Sequence, residues 1–290
     1  MQAAQLDPLA RSPRGLWSGH GIRVSRRRGP HRPHRGAATV CAGRFCVQRR
    51  DDLLSVEHDL NPAELSDALT SLLTEHLVDT EVLRGQAEFE LVFTGVVRST
   101  VDGSLASWLR FYRNSLTALE RGATAFGPIH AEAAARVHGS RLLDLGSCFG
   151  FFPLRMARHI EVTATDLSAS TMRLLATVSP RLQRPLTTLA CDATSVPLPS
   201  GSADTVTALH LIEHLPDEVM TAVCDEALRL ARRRVVIAVP FEDEPRECYG
   251  HVQRFDPARM RRLGDTLTAR HPGVSAHTFD FHGGWLILDR

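Results

Sequence analysis

The stretch that decides the fold is RLLDLGSCFGFFPLRMA, residues 141–157. It begins with the apolar run RLLDLG, passes through a turn that contains Gly146 and Gly150, and continues with a second apolar segment. Glycine permits a tight turn and allows a ligand to come close to the backbone. The stretch therefore predicts a strand followed by a ligand-binding turn.

Strand-like runs alternate with helical patterns from residue 139 to residue 290. The runs after the first are VTATDL, LTTLACDA, TVTALHL, RRVVIAVPF, VSAHTFDF and GWLILDR. This alternation is typical of an α/β domain in which helices cover both faces of a parallel, doubly wound sheet. In such a sheet the ligand lies beyond the carboxyl ends of the strands, so the residues that end each run are the informative ones.

The chain before this domain divides into two segments. Residues 1–40 are rich in Arg, Pro and Gly, and we predict a disordered basic arm. Residues 41–138 contain RFCVQ and LLSVE on either side of RRDD, followed by leucines at helical spacing. We expect a hairpin and a small, mostly helical module that binds the acceptor.

The composition excludes several classes of function. The chain contains no lysine, which excludes Schiff-base chemistry, a lysine general base and the lysine of a phosphate-binding P-loop. Residues 1–50 carry a net charge of +10, whereas the remainder carries −9. No apolar run approaches the about 20 residues of a membrane helix, and the six cysteines are scattered. We expect a cytoplasmic protein with reduced thiols.

The residues around the glycine turn indicate which class of ligand it binds. Gly146 and Gly150 do not have the G-x-G-x-x-G spacing of dinucleotide folds, and Asp144 just before them suits an amino group and a sulfonium better than a pyrophosphate. Asp166 and Asp192 end the next two runs, where carboxylates can accept hydrogen bonds from ribose hydroxyls and an exocyclic amine. Each acid alone is explained by a turn or helix cap, but three at successive strand ends favour an adenosyl ligand.

DLGSCFG resembles the D-x-G-x-G-x-G motif of class I S-adenosylmethionine-dependent methyltransferases of the type 11 kind, with Cys148 in place of the middle glycine. The resemblance implies a seven-stranded Rossmann-like sheet with an antiparallel last strand, and S-adenosyl-L-methionine as cofactor. It assigns Asp144 to the methionine amino end, Asp166 to the ribose, and Asp192 with Ala193 to the adenine. The cofactor-binding residues that it implies are Asp144, Gly146, Ser147, Gly150, Asp166, Leu167, Asp192, Ala193 and His210.

A narrower resemblance covers roughly residues 41–290. TVTALHLIEHLPDE, VPFEDEP, YGHVQRF and HGGWL, with FYRNSL and FGPIHAEA upstream, are similar to the methyltransferase of the mycofactocin system. This implies an actinobacterial enzyme that methylates a glucose hydroxyl of the mycofactocin oligosaccharide. The alternatives are a quinone-like or other small acceptor, or a protein that binds the cofactor without catalysis. We expect a small-molecule or glycosylated peptide-derived acceptor and no nucleic-acid or membrane partner, and the oligomeric state is left open.

The segment HLIEHLPDE supplies the candidate catalytic residues. Transfer of a methyl group to a hydroxyl needs a base, and we predict His214 in that role, oriented by Glu213 or Asp217, with His210 close to the cofactor. HLIEH also matches the H-x-x-E-H of some zinc proteases, but it begins in a strand.

Two further sets of residues are candidates around this segment. We expect no metal, while a divalent site formed by Glu213, His214 and His251 stays open as an alternative. The predicted acceptor-binding residues are His130, Tyr112, His251 and Trp285.

Overall fold

The computed structural model describes residues 7–11, 13–27, 29, 39–101 and 104–290. The chain divides into two compact units, one formed by Met1–Ala118 with Glu247–Tyr249 and the other by Leu119–Arg246 with Gly250–Arg290. Within the described parts of the chain, none of the helices combines the length and the hydropathy needed to cross a bilayer.

The N-terminal unit is built on a five-stranded sheet with the order β1-β2-β5-β4-β3. Its strands are β1 (Leu16–Gly19), β2 (Ile22–Arg26), β3 (Thr39–Ala42), β4 (Phe45–Arg50) and β5 (Leu53–His58). β2 and β5 pair in parallel, whereas the other neighbours are antiparallel. A disulfide joins Cys41 to Cys46 across the β3–β4 hairpin, which corrects the expectation that these two thiols are reduced.

Residues 16–26 correct the prediction of a disordered arm. β1 and β2 bury Trp17, Ile22 and Val24, which are at most 4% exposed. Arg23 and Ser25 alternate with Ile22 and Val24, so this part of β2 has one face for the core and one for solvent despite the basic composition of the segment. Residues 1–6, 12, 28 and 30–38 of the predicted arm lie outside the described residues.

Helices complete this unit, so the expected mostly helical module is a mixed sheet with helices. They are α1 (Leu69–Leu73), which continues into a π-helical turn (Thr74–Val78), α2 (Gly85–Thr100) and α3 (Ser104–Glu120). α2 packs on β1 and β2. Ahead of α1, Glu64 accepts a hydrogen bond from the backbone N–H of Asn61, which closes a turn. The acceptor-binding role of residues 41–138 stays a prediction.

The C-terminal unit contains a seven-stranded sheet with the order β11-β12-β10-β9-β6-β7-β8. Its strands are β6 (Arg141–Leu145), β7 (Glu161–Asp166), β8 (Thr187–Ala190), β9 (Ala203–Leu209), β10 (Ala231–Val239), β11 (Ser275–Asp280) and β12 (Gly284–Asp289). β12 is antiparallel to both of its neighbours, β10 and β11. The seven-stranded sheet with an antiparallel last strand is confirmed.

Helices cover the sheet from two sides. They are α4 (Phe126–Arg136), α5 (Phe151–Met156), α6 (Ala169–Val178), α7 (Asp217–Leu230) and α8 (Pro257–Arg270). Two clusters of buried residues lie against the sheet. One includes Val223 and Leu267 from α7 and α8, and the other includes Ala133 and Phe152 from α4 and α5. The near-continuous burial of β9 and β10 is that of central parallel strands covered on both faces.

The strand order positions the functional site. β6 lies between β7 and β9, so the chain winds outward from β6 to β8 and then returns to start again at β9. The crevice between β6 and β9 is thus the switch point where open α/β sheets bind their ligands.

Gly95 tests whether residues 16–26 belong to the folded unit. A Cβ built on this α2 glycine would lie 2.8 Å from Trp17 Cε3 and would also clash with the Val24 side chain. We expect Gly95→Ala to lower the free energy of unfolding by about 1–3 kcal/mol. If β1 and β2 did not pack on α2, alanine would instead stabilise the helix by about 1 kcal/mol. Chemical denaturation distinguishes the two signs, with Glu90→Ala on the exposed face of α2 as control.

Candidate cofactor and active site

The turn after β6 has a backbone that favours glycine at alternate positions. Gly146, Cys148 and Gly150 all have positive φ angles, at 66°, 47° and 72°. Cys148 therefore takes up the left-handed conformation at the place where the methyltransferase motif has its middle glycine. This departure from the motif keeps the path of the turn at the cost of local strain.

Neighbouring side chains also pack closely on this turn. A Cβ on Gly146 would lie 2.6 Å from Leu211 Cδ1, and one on Gly150 would lie 2.8 Å from Leu175 Cδ1. Leu211 follows β9, so its contact with Gly146 brings the segments after β6 and β9 together at the switch point. The glycines thereby serve the packing of the crevice.

Asp166, at the end of β7, is fixed against the turn. Its two carboxylate oxygens accept hydrogen bonds from the backbone N–H groups of Cys148 (2.9 Å) and Ser168 (2.8 Å). Each oxygen retains a further lone pair that can accept from a ribose hydroxyl. The next residue, Leu167, is 76% exposed and offers an apolar surface beside it. Acceptor oxygens beside an apolar surface are the groups that the predicted ribose and adenine site requires.

Asp192 lies at the end of the neighbouring strand and is exposed. Its Oδ1 accepts hydrogen bonds from Thr194 N–H and Thr194 Oγ1, both at 2.8 Å, and these bonds lower the pKa of the carboxyl. The residue before it, Cys191, donates its N–H to Asp166 O, so β8 and β7 end side by side. Ala193 follows, half-buried. The geometry is that of an Asx turn, and it presents an ionised carboxylate at the strand edge.

Asp144 lies deeper than the sequence suggested. Its side chain is 3% exposed and accepts a 2.5 Å hydrogen bond from Thr207 Oγ1 on β9. Burial raises the pKa of this carboxyl to about 7, against the lowering effect of the hydrogen bonds from Thr207 and Ser147. Ser147 also donates its N–H to Thr165 O. Asp144 thus joins β6 to β9 beneath the turn.

The residues after β9 form a compact polar group. His210 has a φ of 53° and donates its N–H to Ala238 O, which turns the chain away from the strand. Glu213 and His214 lie in the 3-10 turn Ile212–His214. Glu213 is fully buried, and His210 Nδ1 lies 3.3 Å from Glu213 Oε1. Since neither Glu213 oxygen has a hydrogen-bond partner, this contact lacks hydrogen-bond geometry.

The orientation of His214 differs from the one expected. Its Nδ1 donates to Gly250 O at 3.2 Å, instead of to Glu213 or Asp217. Asp217 is 75% exposed and pairs with Arg259. The backbone at Gly250 therefore fixes the imidazole. This partner is distant in sequence and carries no side chain that a motif could reveal.

His130 and Phe126, both on α4, lie beside this group. The His130 ring is buried with its centroid 5.5 Å from that of Phe152, and burial lowers its pKa to about 3, so the ring is neutral near pH 7. Its Nδ1 has no hydrogen-bond partner. Phe126 is 41% exposed, and its ring centroid is 5.3 Å from that of His210. Phe126 begins FGPIHAEA, one of the segments that carry the narrower resemblance.

The remaining predicted acceptor residues take different positions. His251 is buried and donates Nδ1 to Glu242 Oε2 at 2.7 Å, with its ring centroid 4.7 Å from that of His214. Trp285 is 1% exposed and stacks on Phe279 within the core. Tyr112 is fully buried in the N-terminal unit against Phe111. The positions of Trp285 and Tyr112 favour packing roles.

Residues 143–239 match the family model described as a methyltransferase domain. This part of the chain is a methyltransferase domain. Its cofactor is S-adenosyl-L-methionine. The matched residues run from within β6 to the end of β10 and include the glycine turn, Asp166, Asp192 and the group after β9. No curated protein is similar enough in sequence to count as a match.

Solved structures with similar folds share little sequence with the chain. Magnesium protoporphyrin IX methyltransferase from Synechocystis PCC 6803 with bound cofactor is 18% identical, with 60% of this chain and 81% of that chain covered and a TM-score of 0.44. A methyltransferase from Aquifex aeolicus is 14% identical, with 60% and 97% covered and a TM-score of 0.45. A Pyrococcus horikoshii OT3 protein is 11% identical, with 57% and 88% covered and a TM-score of 0.47.

Asp166→Asn tests the assignment of the ribose site. The amide keeps the shape of the side chain but replaces one acceptor oxygen with a donor. We expect the dissociation constant for S-adenosylmethionine, measured by calorimetry, to rise about 10- to 100-fold. Asp289→Asn is the matched control, because Asp289 pairs with Arg234 near the amino end of β10, at the opposite edge of the same sheet. Equal affinities in the two variants would contradict the assignment.

The raised pKa of Asp144 predicts a pH dependence of stability. The unfolded carboxyl loses its proton near its ordinary pKa of about 3.9, whereas the folded one keeps it up to about 7. The folded state therefore binds more protons over this range, and the contribution of Asp144 to stability decreases as the pH rises. We expect the free energy of unfolding of Asp144→Asn, relative to the unchanged protein, to increase from pH 4 to pH 7 and then level off. A difference independent of pH would show that Asp144 is ionised in the fold.

Proposed function

We propose that this chain is an S-adenosylmethionine-dependent O-methyltransferase whose acceptor hydroxyl binds beside the histidines that follow β9. The observation that carries the proposal is the group of His210, Glu213 and His214 at the carboxyl end of that strand. Leu211 lies within this group, and its side chain packs on Gly146 of the cofactor turn. Imidazoles are thereby close to the turn that serves the methyl donor.

The chemistry explains why imidazoles are needed there. S-adenosylmethionine supplies the methyl group. The acceptor oxygen attacks the methyl carbon in line with the sulfonium, the carbon–sulfur bond breaks, and its electrons stay on sulfur. The hydroxyl proton must leave to a base. Histidine changes charge near neutral pH, and the chain has no lysine that could do so in its place.

His214 is the proposed base. The oxygen of Gly250 can only accept a hydrogen bond, so Nδ1 of His214 carries the hydrogen and Nε2 is the basic nitrogen of the neutral ring. His210 is the second imidazole of the group and lies 3.3 Å from the Glu213 carboxylate. Its left-handed backbone conformation is of the kind found at functional sites.

The proposed acceptor is a glucose hydroxyl of the mycofactocin oligosaccharide, as implied by the resemblance of the segments around His214 and His251. An exposed aromatic ring beside polar groups supports a sugar. Phe126 offers that ring, and His130 offers a buried nitrogen without a partner. A quinone-like acceptor would use the same aromatic surface. A protein that binds S-adenosylmethionine without catalysis would need only the cofactor-binding residues.

His214→Ala separates cofactor binding from turnover. We expect the rate of methyl transfer to a hexose-bearing acceptor, followed by mass spectrometry, to fall roughly 10²- to 10⁴-fold. The affinity for S-adenosylmethionine should stay within about twofold, because no cofactor role rests on this residue. His159→Ala is the matched control, since His159 is exposed at the end of the α5 segment.

The outcomes also discriminate between the alternatives. Transfer to a hydroquinone with none to hexoses would overturn the carbohydrate proposal and keep O-methylation. Cofactor binding without transfer to any hydroxyl would favour the non-catalytic alternative. Full activity of His214→Ala would remove this residue from the mechanism.

A further inference from the structure

Three residues beside the proposed acceptor site bring metal-binding atoms together. Glu213, His214 and His251 each offer one ligand atom, and these atoms all lie within 4.8 Å of one another. Two of the residues are adjacent in sequence and the third is distant. The backbone oxygen of Glu213 accepts hydrogen bonds from Val252 N–H (2.9 Å) and Gln253 N–H (3.0 Å), and this pairing holds His251 beside the 3-10 turn.

Glu213 is the strongest indication of a missing partner. Its side chain is completely buried, and neither carboxylate oxygen makes a hydrogen bond. A buried carboxylate without compensation is costly, so such groups in folded proteins are paired with cations or coordinate metals. The basic group beside it, His210 Nδ1, is 3.3 Å from Oε1 but lacks hydrogen-bond geometry.

The two histidines are oriented as metal ligands commonly are. His214 Nδ1 donates to the Gly250 carbonyl and His251 Nδ1 donates to the Glu242 carboxylate. Both acceptors fix the hydrogen on Nδ1, so each neutral ring carries its lone pair on Nε2. A bond from the other ring nitrogen to a carbonyl or a carboxylate is the usual support of a metal-bound histidine. The arrangement therefore supplies ligands and their supports.

We propose that Glu213, His214 and His251 bind one divalent first-row transition metal ion. Two imidazoles and one carboxylate suit Mn²⁺, Fe²⁺ or Zn²⁺, whereas Mg²⁺ and Ca²⁺ prefer sites made of oxygen atoms. Three protein ligands leave coordination positions for water or for an acceptor oxygen. The buried Glu213 carboxylate, whose oxygens accept no hydrogen bond within the described residues, is a ligand that the ion compensates.

The role of the ion rests on the proposed function, but its binding does not. A bound cation stabilises the alkoxide that forms when an acceptor hydroxyl loses its proton. With the Nε2 lone pair of His214 on the ion, the hydroxyl proton passes to His210, the imidazole of the group that stays outside the coordination. When the ion is bound, the metal site thus changes the part of His214 from base to ligand.

The test is a metal titration without cofactor or acceptor. The full chain is stripped with a chelator and titrated with MnCl₂, ZnCl₂ and MgCl₂ by calorimetry. We expect one equivalent of Mn²⁺ or Zn²⁺ to bind, and Mg²⁺ to bind at least about 10-fold more weakly. Glu213→Gln and His251→Gln should each weaken Mn²⁺ or Zn²⁺ binding at least about 10-fold. His159→Gln, on the exposed surface, should bind like the unchanged protein.

Thermal unfolding keeps the test decisive if a variant folds poorly. Mn²⁺ or Zn²⁺ should raise the Tm of the unchanged protein and leave that of Glu213→Gln unchanged. Without metal, Glu213→Gln should be at least as stable as the unchanged protein, since the amide removes an uncompensated charge. Equal metal affinity in the unchanged protein and both variants, or no stoichiometric binding, would overturn the proposal.

Methyl transfer with and without chelator separates the two proposals. Metal binding with no transfer to any hydroxyl would support the site and overturn the proposed function. Transfer that persists unchanged in a chain that binds no ion would support the function and overturn the site.

Discussion

The register between β6 and β9 is the constraint on which the site depends. Asp144 lies opposite Thr207 in the parallel pair, and the hydrogen bond from Thr207 Oγ1 fixes that alignment inside the sheet. A shift by one residue would turn these side chains to opposite faces. This register places the glycine turn after β6 next to the histidines after β9. The side chain of Leu211 packs on Gly146 between them.

The sequence predicts this half of the molecule well because its signals are local. Buried parallel strands appear as apolar runs, and ligand groups stand where the runs end. Asp166 is at the end of such a run. Its carboxylate points at the turn, where it accepts a hydrogen bond from the backbone N–H of Cys148. Asp144 shows the limit of this reasoning. Its place in the motif is visible, but its burial and its bond to Thr207 depend on the neighbouring strand.

β1 and β2 were missed because β5, the strand that joins them to the rest of the sheet, is distant in sequence. β2 pairs in parallel with β5, about thirty residues away, and α2 covers them with Gly95 against Trp17 and Val24. Composition dominated by arginine conceals the short alternation of Ile22 and Val24. A search for alternation within the basic segment would have found β2, whereas the pairing is a property of the tertiary structure.

Glu213 and Asp144 show two ways of burying an acid. Burial raises the pKa of Asp144 to about 7, and Thr207 supplies a hydrogen bond, so the group is accommodated within the protein. Glu213 has no such donor, although it is as deeply buried. A buried carboxylate that accepts no hydrogen bond is unfavourable. The neutral imidazoles of His214 and His251 present lone pairs to it and therefore do not offset its charge. The same three groups become mutually favourable around a cation, because each then contributes a ligand and the charge of Glu213 is compensated.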